Sequence, residues 1–154
     1  MKKITLLSRA VIVVCIILIT LVACKSSFAY TFSVETGDKI KIKLDTSDDW
    51  SIKQKDGSFS IYNNEETILQ GVFGTEQNYT DLKKAVSTDE KAKLIEESEK
   101  DGNTYFFYSY DGTTGEENNI LLMVKDASTC VILGSTSSQA EVEEAFKRLT
   151  ISKE

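Results

Sequence analysis

Three runs, 105–110, 120–124 and 130–133, constrain this chain more than any other feature, because each is apolar on both parities. Successive side chains of a strand point to opposite faces. In the first run Phe106, Tyr108 and Tyr110 therefore point one way, and Tyr105 and Phe107 the other. A strand of this kind has to be covered on both faces. The three runs are expected to form the centre of a sheet with protein on each side.

The remaining strands read differently. Residues 39–44 alternate strictly, with Ile40, Ile42 and Leu44 on one face and Lys39, Lys41 and Lys43 on the other, the pattern of a half-buried strand. The lysine row reads as a solvated face that discourages edge pairing rather than as a contact with lipid headgroups. Residues 46–49 form a turn, and Trp50 and Ile52 begin a second strand. Asp56-Gly57 is a strong hairpin signal. It leads to a strand over 58–62, with Phe59 and Ile61 inward, and then to one over 66–74. A charged strand over 91–100 ends at the turn Asp101-Gly102, and 111–119 reads as a loop between the first two central runs.

Two segments have helical periodicity. In 78–86, Asn78 can cap, Asp81 complements the helix dipole, and Tyr79, Leu82 and Val86 share a face. In 138–149, Ser138-Gln139-Ala140-Glu141 is a capping box, and Val142, Ala145, Phe146 and Leu149 form an apolar stripe. These helices and a folded-over N-terminal hairpin are the available covers. The expected fold is α+β: an antiparallel β-sheet of about seven or eight strands covered by two helices.

The N-terminus has its own logic. Lys2, Lys3 and Arg9 precede a stretch, 10–23, that is apolar except for Thr20 and ends in Leu21-Val22-Ala23-Cys24. This is the layout of a secretory signal, and it is too short to favour a spanning helix, which needs about 20 apolar residues. The tetrapeptide resembles the lipobox of bacterial lipoproteins. That resemblance implies cleavage before Cys24, a diacylglyceryl thioether on Cys24, and an extracytoplasmic position on a bacterial cell membrane. Two alternatives stay open: ordinary cleavage after Ala29, where Ser27 and Ala29 make a small-x-small site, and an uncleaved anchor. The chain then divides into a signal peptide at 1–23, a lipidated Cys24 with a short tether at 24–37, and one α+β domain at 38–154. Residues 25–31 are polar and small apart from Phe28 and Tyr30, as a tether would be.

Without the signal, 131 of the 154 residues remain, enough for a core without disulfide staples. They carry 15 basic and 24 acidic residues, a net charge of −9. That balance argues against nucleic acid as a partner, and against anionic lipid bound through the body of the domain. Cys15 leaves with the signal and Cys24 is the lipid site, so Cys130 has no disulfide partner and reads as a buried, inert thiol. The absence of histidine removes Ser-His and Cys-His catalysis and histidine-ligated zinc.

Few residues remain as candidates for chemistry. The doublets Asp48-Asp49, Glu65-Glu66, Glu96-Glu97 and Glu116-Glu117 splay to opposite faces when they lie on strands, which reads as solvated surface rather than an acid/base pair. Residues 111–117 offer oxygens that calcium likes but lack the alternating ligands of a calcium loop, so a plain hairpin is expected. No metal or cofactor is implied. Tyr105, Phe107, Tyr108 and Tyr110 are the candidates for lining an apolar ligand pocket, with core packing as the competing role.

The element order over 38–151 resembles the PsbP-like fold, the family of the extrinsic photosystem II subunit, which also occurs in envelope lipoproteins of the DcrB type. The matching pattern is an alternating strand, a polar turn, Trp50, Asp56-Gly57, a strand ending at Tyr62, a helix, a meander and a C-terminal helix. The resemblance implies a small accessory or binding domain at a membrane, and it brings no catalytic residue with it. The expected function is therefore that of a non-enzymatic, membrane-anchored lipoprotein that binds a protein partner or a small apolar ligand. The alternatives are a small hydrolase using carboxylates assembled by the fold, and a structural subunit of an envelope complex.

Overall fold

The computed structural model describes residues 26–154, so the signal segment and Cys24 lie outside the described residues. The chain runs β1 (Ser27–Ser33), β2 (Lys39–Asp45), β3 (Trp50–Lys55), β4 (Ser58–Asn63), β5 (Glu66–Thr75), α1 (Glu76–Thr88), β6 (Ala92–Lys100), β7 (Asn103–Gly112), β8 (Gly115–Met123), β9 (Thr129–Gly134), α2 (Gln139–Arg148) and β10 (Leu149–Lys153). The strands form two antiparallel sheets. The larger has the order β3-β4-β5-β9-β8-β7-β6, and the smaller the order β1-β2-β10.

The fold class is α+β with two helices and a seven-stranded antiparallel sheet, as expected, but the described residues also form a separate three-stranded sheet that the sequence reading did not include. The central runs do lie inside the large sheet, on β7, β8 and β9. One face of that sheet is covered by α1. Phe106, Leu121 and Cys130 are buried on that side, beneath the half-buried stripe of Tyr79, Leu82 and Val86. The other face meets the small sheet and α2 in the main core. There Ile40, Ile42 and Leu44 pack with Phe59, Ile61, Leu69, Phe107, Ile120, Leu122 and Phe146. The cover on that face is therefore α2 with the folded-over N-terminal hairpin β1–β2, to which β10 adds a third strand.

The extra strands of the small sheet were hidden for physical reasons. Residues 27–33, read as part of the tether, pair with 39–45 because Phe28, Tyr30 and Phe32 fall opposite Leu44, Ile42 and Ile40 on one apolar face. Leu149 extends the helical stripe of α2 in sequence but starts β10, where Leu149 and Ile151 pair with Leu44 and Ile42. The lysine row thus sits on the middle strand of its sheet and protects no edge.

Smaller differences follow local chemistry. Helix α1 starts earlier than expected: Thr75 is the N-cap and Asn78 is the reciprocating N3 residue, its Oδ1 accepting from the Thr75 N–H at 2.8 Å. Residues 111–119 are mostly strand. Gly112 pairs with Gly115, which shrinks the loop to a tight hairpin, and the polar side chains of β8 remain because that end of the strand is partly exposed. Asp56 and Gly57 both take positive φ (48° and 75°), the backbone of the two-residue turn expected there. No helix of the described residues is long and apolar enough to cross a membrane.

Candidate functional site

A cleft with aromatic lining lies where the end of β1 meets the β3–β4 turn and the end of β5. It has a volume of about 370 Å³, within the usual range for a small-ligand site. Its floor is aromatic. Phe32 of β1 and Phe73 of β5 have ring centroids 4.9 Å apart, and each lies 5.9 Å from Phe59 of β4. Three strands from two sheets supply these rings, so the cleft exists only because the small sheet closes on the large one. Gly71 makes room for the cluster: a Cβ there would come within 2.2 Å of the Phe59 ring.

The rim is polar and acidic. Glu35 and Asp56 are its charged lining residues, joined by Ser33, Thr36, Ser58, Thr75 and Asn78, with no lysine or arginine among them. The start of α1 is closed to anions by its own caps, since Thr75 Oγ1 accepts from the Asn78 N–H at 3.2 Å. The site can therefore hold an apolar group against the rings and favour positive charge at its mouth.

One wall of the cleft, 33–36, is fixed from behind by Asp38. This side chain is only 10% exposed. Its Oδ2 accepts from the Ser128 N–H and from Thr129 Oγ1, both at 2.8 Å, and from Thr36 Oγ1 at 3.3 Å. Its Oδ1 is ion-paired to Lys153 Nζ at 2.8 Å. The Lys153 hydrogen bond, followed by that of Thr129, holds the Asp38 carboxyl at about 2, below its ordinary 3.8. Asp38 is thus a fixed charge that joins the β1–β2 turn to β9 and β10, and it is not poised to exchange a proton near neutral pH.

The four aromatic candidates are divided between two faces. Tyr105 and Phe107 face α2 and line a second cleft of about 270 Å³ with Ile120 and Phe146, rimmed by Glu96, Glu99, Lys100, Glu143 and Lys147. Tyr105 packs edge-to-face on Phe146 at 5.0 Å. Burial first, and then its hydrogen bond to Glu96, pushes its hydroxyl pKa up. Phe107 is 2% exposed and serves as core. Tyr108 and Tyr110 lie on the α1 side, half-buried, and join neither cleft. The four residues therefore form no common pocket.

Other candidates resolve simply. Glu96 and Glu97 splay to opposite faces, one toward Tyr105 and the other paired with Lys83 of α1. Among the described residues, no group of three His, Cys, Asp or Glu side chains is arranged to hold a metal ion. Cys130 is buried, and burial pushes its thiol pKa up.

The residues of the main cleft were missed in sequence. The available signal was the period-2 spacing of Phe28, Tyr30 and Phe32, inside a stretch read as tether. No protein-family model matches the chain, and neither does any curated protein.

Proposed function

We propose that this chain is a lipid-anchored, extracytoplasmic binding protein, held to a bacterial cell membrane through Cys24, whose main cleft takes an amphiphilic ligand with an apolar body and a cationic group. The observation that carries the ligand class is the cleft itself: an aromatic floor of Phe32 and Phe73, backed by the buried Phe59, under a rim whose charged members are both acidic. The role is binding rather than catalysis. The chain has no histidine, and the cleft hydroxyls of Thr36, Ser58 and Thr75 are hydrogen-bonded to Asp38, the Lys55 carbonyl and Asn78.

What supports cleavage before Cys24 is the position of β1. A cut after Ala29 would remove Ser27, Phe28 and Ala29 from a seven-residue strand in which they pair with Asp45, Leu44 and Lys43. A cut before Cys24 leaves the strand whole, with two residues, 25 and 26, between the lipid and the sheet. Two or three acyl chains would hold such a domain firmly, where one alone gives marginal binding. The PsbP-like assignment belongs to the same proposal, supported by the order of the hairpin, helix, meander and C-terminal helix.

The ligand class is tested by titrating the protein with phenethylammonium and with phenylacetate at low salt, following the amide shifts of Gly57 and Gly74. The cation should bind more tightly, and the double variant Glu35→Gln/Asp56→Asn should lose that preference. Equal binding of the two ions, or tighter binding of the anion, would refute the assignment.

A further inference from the structure

Four strands form the edges of the two sheets: β1, β10, β3 and β6. Three of them carry charge. β6 (AKLIEESEK) holds five charged residues, β3 (WSIKQK) holds Lys53 and Lys55, and β10 (LTISK) holds Lys153. Charged side chains on an edge discourage another strand from pairing with it. β1 (SFAYTFS) has no charge and no proline. On a chain whose mature part is strongly acidic, this is the edge at which two copies would repel least.

The sequence of β1 reads nearly the same in both directions. About Tyr30, Ser27 matches Ser33 and Phe28 matches Phe32, and only Ala29 and Thr31 differ. An antiparallel pair of identical strands related by a two-fold axis needs this kind of self-complementarity, since each residue meets its mirror position on the partner.

The backbone is set for the same register. Ser26 C=O accepts from the Thr46 N–H at 2.8 Å, and the Val34 N–H donates to Asp38 C=O at 3.1 Å. Even-numbered residues of β1 thus turn their N–H and C=O toward β2. Alternation then turns those of Ser27, Ala29, Thr31 and Ser33 toward the free edge. With the two-fold axis at Tyr30, each outward-facing residue meets another: Ser27 with Ser33, and Ala29 with Thr31. Phe28 then faces Phe32, and Tyr30 faces Tyr30, at the closer non-hydrogen-bonded positions, where cross-strand aromatic pairs interact best. Phe28 is half-exposed in the single chain and would gain a neighbour.

We propose that two copies of this chain pair antiparallel through β1, joining their small sheets into one six-stranded sheet about a two-fold axis at Tyr30. Seven residues a side fall well short of the roughly 20–30 of a standard interface, so the pair is weak in dilute solution. Confinement of both copies to one membrane raises their effective concentration and fills the dimer. This strengthening rests on the anchoring proposed above, and the register on a mature chain that keeps residues 27–29 of β1.

The test uses full-length chains purified in mild detergent and returned to phosphatidylcholine vesicles. One preparation carries Ala29→Cys and another Thr31→Cys, both at exposed positions, and the two are oxidised separately and as a mixture. The mixture should give a dimer linked from residue 29 to residue 31, identified by peptide mass, in several-fold excess over either variant alone. A matched Lys53→Cys/Lys55→Cys protein, reporting on the β3 edge, should link no more than chance collision allows. Adding Tyr30→Lys to both variants should abolish the 29–31 link, with thermal melting confirming that the protein is still folded. Linking of the mixture no greater than that of the single variants or of the β3 control would overturn the proposal. Failure of the anchor shows separately, as loss of the protein from the vesicles.

Discussion

Lys153 Nζ stands 2.8 Å from Asp38 Oδ1, so the last strand of the small sheet is clamped to the turn that follows its first. The other carboxylate oxygen accepts from the Ser128 N–H and Thr129 Oγ1 on the large sheet. One side chain therefore joins the two sheets behind the wall of the main cleft.

This clamp makes stability depend on acid. Asp38 is held at about 2 against an ordinary 3.8. A carboxylate with a depressed folded-state pKa adds stability above its unfolded value, and that stability is lost as the pH falls through the folded value. Asp38→Asn should be less stable than the parent at pH 7, and the gap should close between roughly pH 4 and pH 2. Denaturant melts of both proteins across that range check it; a gap that stays constant down to pH 2 would show that Asp38 is not the titrating group.

The packing of α2 gives a second test. Phe146 is 7% exposed and sits edge-to-face on Tyr105, so Phe146→Ala should cost about 3–5 kcal/mol through the cavity it leaves. Ser138 is the N-cap of α2, and its Oγ donates to the Glu141 carboxylate at 2.6 Å. Ser138→Ala should cost only about 1 kcal/mol. Equal stability of the two variants would mean that α2 does not cover the sheet.

The floor of the cleft gives a third. Gly71→Ala drives a methyl group into the Phe59 ring, and overpacking of this kind costs about 1–3 kcal/mol. Because Phe59 packs on Phe32 and Phe73, the variant should also weaken phenethylammonium binding. A variant that melts and binds like the parent would show that the ring cluster is loose.

Cys130 provides a fourth. It is fully buried under α1, and its thiol is pushed up by that burial. Thiol reagents should reach it only when the domain opens, so labelling should track denaturant unfolding. Rapid labelling of the native protein would contradict this burial.

The sequence was most legible where one residue's surroundings repeat locally. The alternation of Ile40, Ile42 and Leu44, the two-sided runs of β7 to β9, and the capping box at Ser138 each depend on neighbours a few residues away, and each leads to the element found. β10 was lost because its apolar face makes sense only against β2, more than 100 residues away in the chain, whereas β1 was lost because the alternation of Phe28, Tyr30 and Phe32 lies in a stretch read as tether. Asp38 gives no local sign at all, since Lys153 and Thr129 reach it only after both sheets close. The cleft was illegible for the same reason: Phe32 and Phe73 each look like ordinary core, and only the meeting of their strands over Phe59 makes them a floor.

The most direct test of the account is the mass of the mature N-terminus, taken from protein isolated from its native membrane. A chain beginning at an acylated Cys24, with β1 intact, is the expected result. An unmodified chain beginning at Tyr30 would contradict the lipid anchor, and with it the seven-residue strand on which the small sheet and its proposed pairing depend.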